Sequence, residues 1–142
     1  MASIYLITCV KTKRDEKSPA FELYVSSNFK KLKALAAKRA DRWYILSAKY
    51  GLLKPDQVVE PYELTLNTMS KAERRSWASK VFQQLTKEIS PGDSITILAG
   101  KKYWDELVPL LESSGYETAT PLKGVTLFKW SGWLTRELAD DD

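Results

Sequence analysis

The chain has 142 residues, 44% hydrophobic and 28% charged, with a formal net charge of +4. This fits one α/β domain spanning residues 1–142 and large enough for a substantial core. No apolar run reaches membrane-spanning length and no secretory leader is read at the start. A single cysteine excludes an internal disulfide, so a cytoplasmic protein away from the membrane is expected. Histidine is absent, which removes the commonest general base and the commonest transition-metal ligand; no metal or other cofactor is expected.

Ile4-Tyr5-Leu6-Ile7 reads as a first strand buried on both faces. It runs into the basic turn Thr8-Cys9-Val10-Lys11-Thr12-Lys13-Arg14 and a charged loop ending at Ser18-Pro19. Residues 21–24 start a new ordered segment. Ser26 or Ser27 then caps a helix whose apolar face is Phe29, Leu32, Leu35, Ala36 and Ala40. Residues 43–47 form the second strand, and a strand, helix, strand unit favours a parallel pair with a right-handed crossover. Leu53-Lys54-Pro55-Asp56 reads as a turn and residues 55–68 as irregular. Ser70 and Glu73 match a capping box, and Trp77, Val81 and Leu85 continue a helix that Ser90-Pro91-Gly92-Asp93 stops. Ile95-Thr96-Ile97-Leu98-Ala99 is a third strand ending in Gly100. The next helix carries Trp104, Leu107, Val108 and Leu111 on one stripe, and Pro109 within it requires a kink or a later start. Gly115 ends it, residues 116–119 read as a short strand, and Val125-Thr126-Leu127-Phe128 as a last strand. Trp130, Trp133, Leu134 and Leu138 mark a closing amphipathic helix before a frayed acidic tail. The alternation predicts a three-layer α/β sandwich around a mostly parallel sheet.

Three strands thus end in small or polar residues followed by reactive groups. The first gives Cys9, Lys11 and Lys13; the second Ser47, Lys49, Tyr50 and Gly51; the third Gly100, Lys101 and Tyr103. A parallel sheet would bring these ends to one edge, where open α/β proteins bind ligands. Lys, Ser and Tyr donors there suit an anion such as phosphate or the sugar-phosphate of a nucleotide, aided by helix amino termini. No glycine pattern of a nucleoside-triphosphate or dinucleotide site is present.

Lys49 carries the catalytic reading: beside an apolar strand it would lose hydration and present a neutral amine as nucleophile. The alternative is a lysine that packs its stem on Tyr50 or pairs with Asp56. Cys9 is open between a thiolate activated by Lys11 and a buried inert thiol. Tyr103 either orients a ligand or sits in the core. Asp56, Glu60 and Glu63 follow the key strand, where a carboxylate can act as base or stabilise an oxocarbenium ion. The segment Pro61-Tyr62-Glu63-Leu64-Thr65-Leu66 reads as a packed loop over the cleft. The tryptophans read mostly as core, with Trp43, Trp130 and Trp133 open to stacking on a base. Residues 1–50 hold 11 Lys/Arg against 4 Asp/Glu, and residues 51–142 hold 11 against 14, so the basic portion lies early. It could attract phosphate or nucleic acid, or simply be solvated helix faces.

Several motifs together resemble a family of small bacterial and phage proteins known as a domain of unknown function. They are Cys9-x-Lys11-x-Lys13, Leu23-Tyr24-x-Ser26, Trp43 onward through Leu53, Pro61-Tyr62-x-Leu64-Thr65-Leu66, Gly100-x-x-Tyr103 and Pro121-Leu122-x-Gly124. The cysteine after the first strand, with the Tyr24-x-Ser26 element, is similar at longer range to the core domain of archaeosine synthase. Phe29 stands near the place of a histidine in that motif. Ser47-Ala48-Lys49-Tyr50-Gly51 resembles the YaaA-type peroxide-stress proteins, which bind DNA through an additional helical part this chain lacks. These resemblances imply action on a nucleobase or nucleotide, by N-glycosidic cleavage or base modification. Lys49, Ser47 and Cys9 would then be catalytic. Lys11, Lys13, Tyr24, Ser26, Tyr50, Gly51, Gly100 and Tyr103 would bind ligand or phosphate. The alternative is a non-catalytic module binding nucleic acid or nucleotide.

Overall fold

The computed structural model describes residues 2–8, 18–19, 27–59 and 66–140. In chain order they form β1 (Ser3–Ile7), β2 (Ser18–Pro19), α1 (Ser27–Arg39), β3 (Arg42–Ser47), β4 (Gly51–Leu53), β5 (Val58–Val59) and α2 (Lys71–Thr86). Then come β6 (Ser94–Leu98), α3 (Lys101–Trp104), α4 (Leu107–Ser113), β7 (Glu117–Ala119) and α5 (Trp130–Asp140). The strands β4-β3-β1-β6-β7, in that spatial order, make a five-stranded sheet, and β2 pairs separately with β5. Neighbours within β3-β1-β6-β7 are parallel, and β4 runs antiparallel to β3.

Successive strand side chains point to opposite faces, so a strand covered on both sides needs an unbroken apolar run. Ile4 and Leu6 of β1, Tyr44 and Leu46 of β3, and Ile95 and Ile97 of β6 enter one buried cluster. Tyr5, Ile7, Ile45 and Leu98 enter another on the reverse face. Trp77, Ala78, Val81 and Leu85 of α2, with Tyr103, Leu107 and Leu111, cover the first cluster. Phe29, Leu32, Leu35 and Ala36 of α1, with Trp130 and Leu134 of α5, cover the second. The result is the expected three-layer α/β sandwich.

Helix direction follows from the side-chain bonds. Lys31 Nζ donates to Ser131 Oγ at 2.6 Å and Lys38 Nζ to the Leu138 carbonyl at 3.2 Å, so α1 and α5 lie parallel. The carboxyl end of α1 meets the start of β1, where Asp41 N donates to Ser3 O at 2.8 Å. Both helices therefore begin at the sheet edge where β1, β3 and β6 finish. At the opposite edge the buried Asp93 accepts from Ala2 N and from Ser90 N, each at 2.8 Å, fastening the amino ends of β1 and β6. The backbone N–H groups of Ser90 and then Ala2 hold its carboxyl below the usual aspartate range.

The capping box forms as read: Ser70 Oγ accepts from Glu73 N at 3.1 Å and Glu73 Oε1 from Ser70 N at 2.9 Å. The helix after β6 is two helices, and Pro109 falls in the first turn of α4, where its missing N–H costs no bond. Two readings need correction. The turn read at residues 53–56 begins later, because residues 51–53 are an edge strand paired with β3. Residues 125–128 are not a strand. Val125 N donates to Leu122 O and Lys129 N to Thr126 O, so this backbone is committed to local turns leading into a 3-10 turn, Leu127–Lys129. No helix among the described residues is long and apolar enough to cross a membrane. Residues 21–26 and 60–65, and the acidic tail at 141–142, lie outside the described residues.

Candidate functional site

The carboxyl ends of three parallel strands share one edge, since Ile7 is level with Ile45 of β3 and with Leu98 of β6. The helix following β1 covers one face, while those following β3 and β6 cover the other. Adjacent strands whose connections leave in opposite directions open a crevice at their carboxyl ends. Thr8 closes the bottom of it by donating its hydroxyl to Leu46 O at 3.1 Å.

Beyond β3 the chain folds through residues 48–50 into β4, and α2 grips this turn. Trp77 Nε1 donates to Ser47 O at 2.8 Å, within buried surroundings. Lys80 Nζ donates to Lys49 O at 3.5 Å and Gln84 Nε2 to Tyr50 O at 3.3 Å. Gln84 Oε1 accepts from Leu52 N at 2.9 Å, an outward N–H of the edge strand. Residues 77, 80 and 84 fall on one helix face by the 3.6-residue period. Gly51 has φ of +78°, in the left-handed region, and a Cβ there would collide with Gln84 Oε1.

Of the residues singled out in the sequence, Ser47 is wholly buried and its Oγ accepts from Tyr50 N at 3.0 Å. Tyr103 is also buried, its ring meeting Trp77 edge to face at 5.7 Å. Trp77 thus joins Ser47 and Tyr103 into one packed unit. Lys49 is exposed, with Nζ 5.3 Å from the centroid of the half-buried Tyr50 ring. The desolvation expected of Lys49 is therefore not supplied by the protein. Gly100 ends the β6 connection on the same edge, and no described atom would meet a Cβ there within 4 Å. Cys9, Lys11, Lys13, Tyr24 and Ser26, and the carboxylates Glu60 and Glu63, lie outside the described residues. Asp56 is exposed in the turn after β4. Trp43 is half-buried on the second cluster and Trp130 is buried there, its Nε1 donating to Val125 O at 3.0 Å.

A hollow of about 310 Å³ lies beside this turn, lined by Ala48, Met69, Glu73, Ser76, Trp77 and Lys80. Its walls combine an indole, a thioether, a hydroxyl, a carboxylate and an ammonium. The Ser70 N–H, and secondarily the Ser70 hydroxyl, hold the Glu73 carboxyl below the usual carboxylate range, so it is ionised at neutral pH. Met69, Ser76 and Lys80 escaped the sequence reading. Glu73 reads there only as the capping-box partner of Ser70, and Lys80 is not singled out. The available signal was spacing: Glu73, Ser76, Lys80 and Gln84 recur every three or four residues along the edge of the Trp77-Val81 stripe. Among the described residues, no cluster of three or more Cys, Asp or Glu could hold a metal ion.

The same chain is similar to curated proteins. A UPF0246 protein of Marinomonas sp. (strain MWYL1) is 28% identical over 64% of this chain and 39% of its own length. A UPF0246 protein of Cellvibrio japonicus (strain Ueda107) is 33% identical over 44% of the chain and 27% of its own. The chain therefore spans well under half of these YaaA-family relatives. The uncharacterized protein YfjM of Bacillus subtilis (strain 168) is 31% identical over 72% of the chain and 73% of its own length. With a family model matching residues 4–136, the chain belongs to a family of unknown function, DUF6884.

Proposed function

We propose that this protein acts on a nucleobase or nucleotide, free or within DNA or RNA, at the rim formed by Ser47, Ala48 and Lys49. The supporting observation is a lysine-bearing strand-end turn, held by Trp77, Lys80 and Gln84, next to a hollow with an indole wall. An indole and a thioether favour a flat heteroaromatic ring. Lys80 can meet a phosphate or ring carbonyl, and Glu73 an exocyclic amine. The reaction class is N-glycosidic cleavage or base modification. In the cleavage form a substrate seated over Lys49 supplies the desolvation that the free protein does not, and the deprotonated amine then attacks C1′ of the sugar as the C1′–N bond breaks. The base departs with the bonding pair and takes one of the two amine protons; the C1′–O4′ bond then breaks, O4′ takes the other proton, and the opened sugar remains as an imine on Nζ. Lys11 and Lys13, by sequence, are the phosphate-holding residues of the same reading, and the archaeosine-synthase resemblance agrees with a base as substrate.

Borohydride reduction during incubation with a modified-base or abasic oligonucleotide tests this. The expected result is a covalent adduct that Lys49→Ala abolishes while leaving the melting temperature unchanged. No adduct, together with no binding of nucleosides or nucleotides, would refute the proposal; a large loss of stability in Lys49→Ala would make the lysine structural.

A second reading, a non-catalytic binder, is favoured by one feature: Lys49 is hydrated and rests against Tyr50 rather than being buried. A binder contacting several phosphates loses affinity steeply with added salt, whereas a single pocket depends on salt weakly.

A further inference from the structure

Phe128 is 93% exposed, and among the described residues only Val58 is another large exposed apolar side chain. Its exposure is built in. Lys129 N donates to Thr126 O at 2.8 Å, forming the turn on which Phe128 sits. On either side Leu122 and Trp130 are anchored in the second core cluster, and Trp130 Nε1 is tied to Val125 O. The backbone is thus fixed while the phenyl ring stands in water.

This turn belongs to the sheet edge where the candidate site lies. β7 is parallel to β6, so the chain leaves Ala119 at that edge, and α5 starts there. Lys123 Nζ lies 5.7 Å from the centroid of the Trp104 ring, joining the turn to α3 directly after β6. Lys49, Lys101, Lys102, Lys123 and Lys129 are all exposed along this edge. The carboxylates nearby in sequence, Asp105 and Glu106, are half-buried, and Glu106 is paired with Arg75 at 3.4 Å. At the opposite edge the cations Arg39, Arg42 and Lys54 are matched by Glu137, Asp93 and Glu88. Folding therefore places exposed lysines and a protruding aromatic ring along one sheet edge.

From this charge pattern we infer that the rim docks a single-stranded nucleic acid, with Phe128 stacking on an unpaired base and Lys101 and Lys129 contacting flanking phosphates. A phenyl face accepts any base, and lysines follow the backbone without reading sequence. The inference rests on the nucleobase-directed reading above and commits it to a polymer. It adds a contact apart from the hollow at Trp77, so the two are separable by experiment.

Fluorescence anisotropy with a labelled oligothymidylate, at low and moderate salt, tests the proposal. Phe128→Ala is expected to weaken binding by roughly 5- to 150-fold, the range for loss of one stacked base. Phe128→Trp is expected to retain it, and both variants to keep the wild-type melting temperature. Lys101→Ala with Lys129→Ala should lower the log–log salt slope by about 0.7 for each phosphate no longer neutralised. Binding of a mononucleotide, measured by equilibrium dialysis, should be unchanged in Phe128→Ala. Strand binding that is absent in the wild type, or equal in Phe128→Ala, overturns the inference, whatever the mononucleotide and borohydride results say of the earlier reading. A dimer that Phe128→Ala dissociates in sedimentation also overturns it, since a second copy would then cover the ring.

Discussion

Replacing Trp77 with phenylalanine isolates the bond on which the rim depends. The indole N–H donates to the carbonyl of Ser47 at 2.8 Å, and Ser47 is inaccessible to solvent while Trp77 is 6% exposed. Phenylalanine keeps an aromatic ring against Tyr103 but has no donor. Loss of this buried hydrogen bond costs about 1 kcal/mol, and the space vacated by the smaller ring adds to this, for about 2–3 kcal/mol in all. For a chain of this size that corresponds to a melting temperature lower by roughly 10 °C. Urea unfolding at equilibrium gives the energy, and an unchanged m-value would confirm that native and unfolded states keep their compactness. Amide exchange at Tyr50 should quicken as well, because its N–H is held by Ser47 Oγ in the same turn. A stability within 0.5 kcal/mol of wild type, about the scatter of surface changes, would refute the view that Trp77 holds this strand end.

Two further outcomes follow from the same geometry. Gly51→Ala should cost about 2–4 kcal/mol in urea unfolding, through the left-handed backbone and the displacement of Gln84 from Leu52 N; a neutral result would mean that the turn can refold around a side chain. Asp93 makes the protein acid-sensitive in a predictable direction. Its native carboxyl is held below the usual range, so its contribution is complete above the ordinary aspartate pKa of about 3.9 and disappears as pH falls through the lower native value. Melting curves recorded between neutral pH and pH 2 should show a decline that is shallower in Asp93→Asn; identical slopes would exclude this aspartate.

Much of the scaffold was legible because local patterns and tertiary demand agree. Ile4 to Ile7 and residues 43–47 are unbroken apolar runs because helices cover both faces of their strands. The start of α2 was written in Ser70 and Glu73, whose side chains satisfy each other's backbone within four residues. The strand read at residues 125–128 failed for a reason of the same kind. Branched and aromatic residues raise strand propensity, yet a strand needs a neighbour. Here Leu122 O and Thr126 O take the backbone donors first.

The sequence by itself determined β1, β3, β6 and the start of α2, because periodicity and caps constrain these locally; that Ser47 and Gly100 share one sheet edge followed only once the sheet was parallel. Tertiary structure alone decided what surrounds the edge. The bonds from Trp77 to Ser47 and from Gln84 to Leu52 join residues about thirty positions apart. Only the packing of α2 against the sheet brings those donors and acceptors together. The same packing leaves Lys49 in water and buries Tyr103, while the anchoring of Leu122 and Trp130 in the second cluster holds Phe128 outside, because burial belongs to three-dimensional neighbours that no stretch of sequence contains.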